Sequence, residues 1–330
     1  MAESRKGLVV RPMRPEDVEV AEQISAEAFL QVDRATRRAT DPEPERRPAP
    51  RSQRWIDRTT RLLATDGPGC WVADLDGRTV GMATSLRRET LWALATFAVL
   101  PDAQGGVGRP LLEAALQHSV GCLRGMVASS ADPRAVRRYQ AAGFDLHPQM
   151  VLSGRPDTSA APSLGAVREA RPADRELMDS VDRRCRGAGR GADHDLLAAM
   201  APALVVETRS ASGYVYAADG RVAALAATDR RTAARLLWAA LVTATGDVEV
   251  PHVTGANQWA LQVGLAAGLT VRTEGYLGVR GMKPPTPPSS IETKPAGPTR
   301  LLTLRRSSSS SSSSTMSTLF RNTTSDGTPT

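Results

Sequence analysis

The sequence predicts an α/β protein whose strand and helix units recur in two similar halves ahead of a tail of different character. Three observations predict it. An apolar run, Leu91 to Leu100, passes through a Gly-rich turn into the apolar-periodic segment Pro110 to His118; blocks of the first half recur in order in the second; and the composition changes abruptly after Gly281-Met282.

The elements follow in chain order. VVRPMRPEDVEVAEQISAEAF, Val9 to Phe29, reads as a strand and a helix, with Pro15, Glu16 and Asp17 at the helix N-terminus, where its partial positive charge favours acids. The Arg/Pro-rich span Arg34 to Arg54 reads as an exposed loop between the first two helices. Trp71-Val72 and the residues after Asp76-Gly77-Arg78 read as two strands joined by a tight Asp-Gly turn. The run Leu91 to Leu100 is a buried strand stopped by Pro101, and Leu111, Leu112, Ala115 and Leu116 share one face of the helix that follows. Between them Gly105, Gly106 and Gly108 permit positive φ and let backbone N–H groups approach a ligand without Cβ obstruction. The helix N-terminus adds its positive end, so the turn is an anion cradle into which a pyrophosphate fits. No Lys-Ser/Thr follows the last glycine, which disfavours a nucleoside-triphosphate loop, and an amphipathic helix precedes the strand, unlike the opening of a dinucleotide fold.

Val99-x-Pro101, Gln104-Gly105, Gly106-Val107-Gly108-Arg109 and Leu111-Leu112 resemble the acetyl-CoA signature of the GNAT superfamily of N-acetyltransferases. The early strand and helix, and RAVRRYQAAGF (Arg134 to Phe144) with its Tyr-x-x-x-Gly-Phe ending, are similar to further landmarks of that family; together they cover roughly residues 8 to 152. The resemblance implies a mixed sheet, acetyl-CoA as co-substrate without a metal, and an amine acceptor. It implies cofactor contacts from Phe97, Ala98, Val99, Gln104, Gly105, Gly106, Val107, Gly108, Arg109 and Pro110. The family pattern is Gln/Arg-x-x-Gly-x-Gly, and this loop is one residue short: registering on Gly106 and Gly108 puts Ala103 where the Gln or Arg belongs. A loop tightened by the extra glycine and a lesion that weakens CoA binding are both open.

Acetyl transfer to an amine needs a polarised thioester carbonyl, an acceptor that loses a proton, and a thiolate that is stabilised or protonated. The resemblance implies that main chain at Phe97 to Val99 supplies the carbonyl contact and that Tyr139 protonates the departing thiolate; the alternative for Tyr139 is a packing aromatic. Glu89, at the mouth of the Leu91 strand, is the candidate base, or else a solvated strand end, and Glu27 and Asp33 are candidates for contacting a cationic acceptor. His118, His147, His194 and His252 are scattered without triad or metal spacing.

Three repeat blocks describe the second half. Val167-Arg168-x-x-Arg171-Pro172-x-Asp174 repeats Val10-Arg11-x-x-Arg14-Pro15-x-Asp17; Tyr214-Val215 with Asp219-Gly220-Arg221 repeats Trp71-Val72 with Asp76-Gly77-Arg78; and Leu236-Leu237-x-Ala239-Ala240-Leu241 with Ala266-Ala267-Gly268-Leu269 repeats Leu111-Leu112-x-Ala114-Ala115-Leu116 with Ala141-Ala142-Gly143-Phe144. Gly106, Gly108 and Tyr139 then correspond to Arg231, Ala233 and Gly264, so the second copy lacks both cradle and phenol. The expected organisation is a catalytic domain at 1–155, a linker at 156–165, a degenerate domain at 166–282 and a disordered Ser/Pro-rich tail at 283–330 with the octaserine Ser307 to Ser314.

Composition narrows the function. Of the net charge of +7, the tail carries six basic residues against two acidic, leaving +3 for the first 282 residues, and aromatics are only 4%, so nucleic acid is not an expected partner. No apolar run nears the ~18 residues of a membrane span and no secretory signal is visible, so a cytoplasmic location without membrane association is expected. The odd, scattered Cys70, Cys122 and Cys185 read as structural thiols. Two functions follow: an acetyl-CoA-dependent N-acetyltransferase acting on a small-molecule or protein amine, with a homodimer as an open assembly, or a non-catalytic acyl-CoA-binding or interaction module.

Overall fold

The computed structural model describes residues 6–39, 42–284 and 291–292, all within one compact unit, Met1–Thr299. The tail expected to be disordered lies outside the described residues apart from 283–284 and 291–292. The first run of elements is strand β1 (Leu8–Pro12), helices α1 (Val18–Thr36) and α2 (Ala49–Asp66), strands β2 (Cys70–Leu75), β3 (Arg78–Arg88) and β4 (Leu91–Val99), helix α3 (Gly108–Gln117), strand β5 (Arg124–Ser129), helix α4 (Pro133–Ala141) and strand β6 (Asp145–Gly154). The second is β7 (Val167–Glu169), α5 (Arg175–Arg186), α6 (Asp193–Met200), β8 (Ala203–Glu207), β9 (Ser212–Ala218), β10 (Arg221–Ala227), α7 (Arg230–Val242), β11 (Val248–Thr254), α8 (Gln258–Ala266) and β12 (Thr270–Arg280), followed by β13 (Ile291–Glu292).

The strands form one mixed sheet in the order β1-β2-β3-β4-β5-β12-β6-β11-β10-β9-β8-β7, with β13 paired to β10 off this path. The order is symmetric about its centre, where the two runs exchange strands. β12 of the second run lies between β5 and β6, antiparallel to both, and β6 of the first run lies between β12 and β11. Each half therefore completes the sheet of the other. Among the described residues only β4 with β5 and β10 with β11 pair in parallel.

This symmetry corrects one repeat assignment. β10, which precedes α7 and pairs in parallel with β11, is the counterpart of β4, so the Asp219-Gly220 turn between β9 and β10 matches the Glu89-Thr90 turn between β3 and β4. It does not match Asp76-Gly77, which joins β2 to β3. Asp76, Glu89 and Asp219 all take left-handed φ values of 48° to 50°, so a tight turn recurs in each hairpin and short blocks cannot tell them apart.

Period-two alternation covers both faces of the sheet. Val72, Met82 and Ala95 face α1 and α2, with Ile24, Trp55 and Leu62. Their neighbours Ala73, Ala83 and Leu94 face α3 and α4, with Leu111, Leu112 and Tyr139. The core around α7 and α8 takes Leu152 from β6, and Leu91 and Met126 pack with Leu277 and Val279 from β12, so the strand exchange also joins the cores. The Val-Arg-x-x-Arg-Pro-x-Asp repeat has a physical meaning. Arg11 forks onto Asp17 with bonds of 2.7 and 2.8 Å, and Arg168 forks onto Asp174 with two of 2.7 Å. Each Asp also accepts the N–H of Arg14 or Arg171 and so holds the entry to α1 or α5. Among the described residues no helix is long and apolar enough to cross a membrane.

Candidate functional site

β4 and β5 pair only from Leu91 to Leu94 against Arg124 to Val127. A bulge follows, where Ser85 pairs Leu94 and Thr84 pairs Thr96, and beyond it β4 stays with β3 and parts from β5. Phe97, Ala98 and Val99 thus present a main-chain edge to the gap, while alternation keeps Phe97 and Val99 packed toward α3 and α4.

Residues 100–107 carry the chain from β4 to α3. Gly105 and Gly106 have φ of 97° and 86°, the conformation predicted for them, whereas Gly108 begins the helix and is needed for a different reason. A Cβ there would lie 2.6 Å from Arg138 Cζ and 2.7 Å from its Nη2. Ala103 is 1% exposed and Val107 is fully buried; these two apolar anchors hold the turn, and the two left-handed glycines take up the missing residue. α3 starts with Val107 at its cap position and no side-chain cap. The Gln104 carboxamide accepts from Arg134 Nη1 on α4. Arg109 points away, paired with Glu113 at 2.8 Å, and Pro110 lies in the first helical turn.

α4 starts under its Asp132 cap, which accepts the Arg134 N–H at 2.9 Å, and its face brings Arg138 and Tyr139 against the cradle. Tyr139 is buried edge-on to Phe97, with ring centroids 6.3 Å apart, and burial pushes its phenol above the ordinary range. It is thus a protonated donor at neutral pH. The Arg138 guanidinium lies over the Phe97 ring, 5.5 Å from its centroid. Phe97, Gly108, Arg138 and Tyr139 meet at one place, and Arg138 is the member that sequence reasoning missed. One signal was available: Arg134 and Arg138 are one turn apart on the helix that carries Tyr139.

Glu89 is displaced from this place. It occupies the turn at the far end of β4, about 30 Å of extended chain from Val99 at ~3.3 Å per residue, and Arg183 Nε donates to its Oε1 at 2.7 Å. Its role as the base is corrected on that ground: the turn holds it away from the cradle. Glu27 and Asp33 both lie on α1.

The span Arg34 to Arg54 is also corrected. α1 continues to Thr36 and α2 starts at Ala49, with Pro50 in its first turn. The connection is anchored by Arg47, whose side chain is 2% exposed and pairs Glu22 at 2.7 Å while donating to Ser25 at 3.0 Å. Arg47 and Arg58 flank Trp55, 5.6 and 5.8 Å from its centroid, and Arg58 donates to Thr96 beside the β4 bulge at 3.2 Å. Burial, with the Arg47 charge second, pushes the Arg58 guanidinium down to about 10.

The second half is built differently. Residues 228–229 alone join β10 to α7, and Asp229 caps the helix, accepting from the Thr232 N–H at 2.9 Å and its hydroxyl at 2.7 Å. Arg231 and Ala233 stand in the first turns of α7, Ala233 fully buried, and a Cβ on Gly264 would meet Leu152 of β6 at 2.6 Å. The exchanged strand therefore fills the space of the missing phenol. β10 pairs β11 only at Arg221 and Glu249, and Ala224 and Leu225 pair with β13 beyond that point. Asp179 and Asp182, one turn apart on α5, come together with His194 of α6, a ligand atom of each within 4.8 Å of the others. Arg190 Nε stands 3.4 Å from Asp182, and the Tyr214 hydroxyl donates to Asp182 at 2.7 Å, so the cluster contains its own positive charge.

Residues 30–144 match the model of the acetyltransferase (GNAT) family. Among solved structures, the chain is similar to a proposed acetyltransferase from Pyrococcus horikoshii, with 18% identity and a TM-score of 0.63 over 86% of this chain and 92% of that one. It is also similar to a GCN5-related N-acetyltransferase from Sphaerobacter thermophilus (15%, TM-score 0.54, 86% of this chain and 100% of that one). Another such protein, from Kribbella flavida, matches at 16% identity and a TM-score of 0.54 over 82% of this chain and 70% of that one. At these identities the likeness is one of fold. No curated relative matches the sequence.

Proposed function

We propose that this chain, whose residues 30–144 match the acetyltransferase (GNAT) family model, transfers an acetyl group from acetyl-CoA to the primary amine of a small molecule or protein by direct attack on the thioester. One observation carries the reading: the β4 edge at Phe97 to Val99, the left-handed glycines 105 and 106, the uncapped start of α3 and the Tyr139 phenol converge on one end of the strand. The residues fit a CoA thioester. Backbone N–H groups of the turn and the positive end of α3 suit a pyrophosphate, and the polar main-chain edge suits an amide-bearing arm.

In this reading Phe97 to Val99 orient the thioester and polarise its carbonyl as negative charge develops on the oxygen. Tyr139, kept protonated by burial, supplies the proton that the leaving thiolate takes, a contribution of about 10²–10⁴ in rate. Residues 166–282 contribute strands β12 and β11 and no second cradle, so one CoA binds per chain. CoA-thiol release measured over a broad amine panel, alongside calorimetric titration with acetyl-CoA, tests the proposal. Amine-dependent thiol release with binding supports it; binding without release for any amine leaves a non-catalytic acyl-CoA module.

A further inference from the structure

Arg138 is out of balance with its surroundings. Its guanidinium is half-buried over Phe97, and a Cβ on Gly108 would touch it, so it is set directly against the start of α3. Among the described residues no hydrogen bond or ion pair holds it; nearby Asp132 is engaged by Arg134 instead. The helix end it faces is itself partially positive and carries no side-chain cap. Two positive groups are thus held together with no carboxylate bonded to either. Desolvation by burial lowers the basicity of the guanidinium, opposed by the charge of nearby Asp132. The rest of the turn offers no cationic replacement: Ala103 is apolar and buried, the Gln104 carboxamide is tied to Arg134, and Arg109 is paired with Glu113.

Resting on the reading of this turn as a CoA cradle, we propose that Arg138 on α4 is a ligand of the CoA pyrophosphate, supplying from a neighbouring helix the side-chain charge that the shortened loop cannot supply itself. An anion placed at the start of α3 satisfies the guanidinium and the helix end together, which is why neither has an internal partner. Gly108, with no Cβ, lets the guanidinium lie directly against the helix start. The bond is a charge-assisted one from a planar donor, so lysine replaces it only in part.

The test uses the full chain and two probes, CoA and dephospho-CoA, which lacks the 3′-phosphate but keeps the pyrophosphate. Arg138→Gln is expected to weaken both by the same factor, about 10- to 50-fold, with Arg138→Lys falling between it and the wild type. The thermal midpoint of the ligand-free Arg138→Gln protein is expected to stay level or rise, because a charge conflict has been removed. Wild-type binding of CoA with unchanged affinity in Arg138→Gln overturns the proposal. So does a loss with CoA that is absent with dephospho-CoA, which puts the guanidinium on the 3′-phosphate. A lowered ligand-free midpoint, with Arg138→Lys as weak as Arg138→Gln, also overturns it, because it leaves only packing on Phe97. If the wild type binds neither probe, the cradle reading itself falls.

Discussion

The junction between β4 and α3 and its counterpart between β10 and α7 join equivalent strands to equivalent helices, yet they solve the same local problem in opposite ways. Eight residues span the first, with two left-handed glycines, an uncapped helix and an external guanidinium; two residues span the second, and Asp229 caps the helix. A helix start is an anion site only while its own chain leaves the first N–H groups unclaimed. Asp229 claims them with a carboxylate. The strands beside the two junctions differ in the same sense, since β4 faces an opening after Leu94 whereas β10 is paired by β13 at Ala224 and Leu225. On the proposed reading, a longer loop, an uncapped helix start and an unpaired strand edge separate a ligand site from a structural half.

Four perturbations break or sharpen this contrast. The largest effect is expected from Tyr139→Phe, which keeps the buried ring and deletes the hydroxyl: kcat should fall about 10- to 10³-fold with little change in acetyl-CoA affinity. Steady-state kinetics beside a binding isotherm check this, and the matching change at Gly264 has no hydroxyl to remove. Next is Gly108→Glu, which installs in the first junction what Asp229 provides in the second. The new carboxylate meets Arg138 and the helix end and competes with the phosphate, so acetyl-CoA affinity should drop about 10²-fold, as read by calorimetry.

The third perturbation addresses what the halves share. Asp17→Asn and Asp174→Asn should each cost about 2 kcal/mol at neutral pH, by denaturant titration, since each removes a forked charge-assisted pair. Hydrogen bonding from Arg11 holds Asp17 below the usual carboxylate range, and hydrogen bonding from Arg168 brings Asp174 to about 2. Both folded-state values are depressed, so the stabilisation is present in full above about pH 4. It is lost as pH falls through the folded values, and the wild type and both variants should converge near pH 2. The smallest effect is expected from Asp229→Ala, about 1 kcal/mol of stability with acetyl-CoA affinity unchanged.

Much of the first half was legible in the sequence because its signals are local. Val99-x-Pro101, the glycines and Leu111-Leu112 encode a strand stop, two left-handed residues and a helix face within twenty residues, and the Val-Arg-x-x-Arg-Pro-x-Asp block encodes a forked ion pair. The exchange of β6 and β12 was not legible, because the pairing partner of a final strand depends on which sheet edge it meets, and either half could have kept its own. The hairpin assignment in the second half failed for a related reason: Asp-Gly marks a turn but not which pair of strands it joins. Glu89 looked poised at a strand mouth, yet sequence cannot say which end of β4 faces the cradle. Arg47 fell within the span read as an exposed loop because Arg usually lies at the surface, and only its packing onto Trp55 and its pairing to Glu22 bury it.

Stoichiometry tests the central claim most directly. Calorimetric titration of the full chain with acetyl-CoA should give one site per chain, weakened about 10²-fold in Gly108→Glu and unchanged in Asp229→Ala. Two equivalent sites per chain, or a site whose affinity is unchanged in Gly108→Glu and falls on changing α7, would contradict the account.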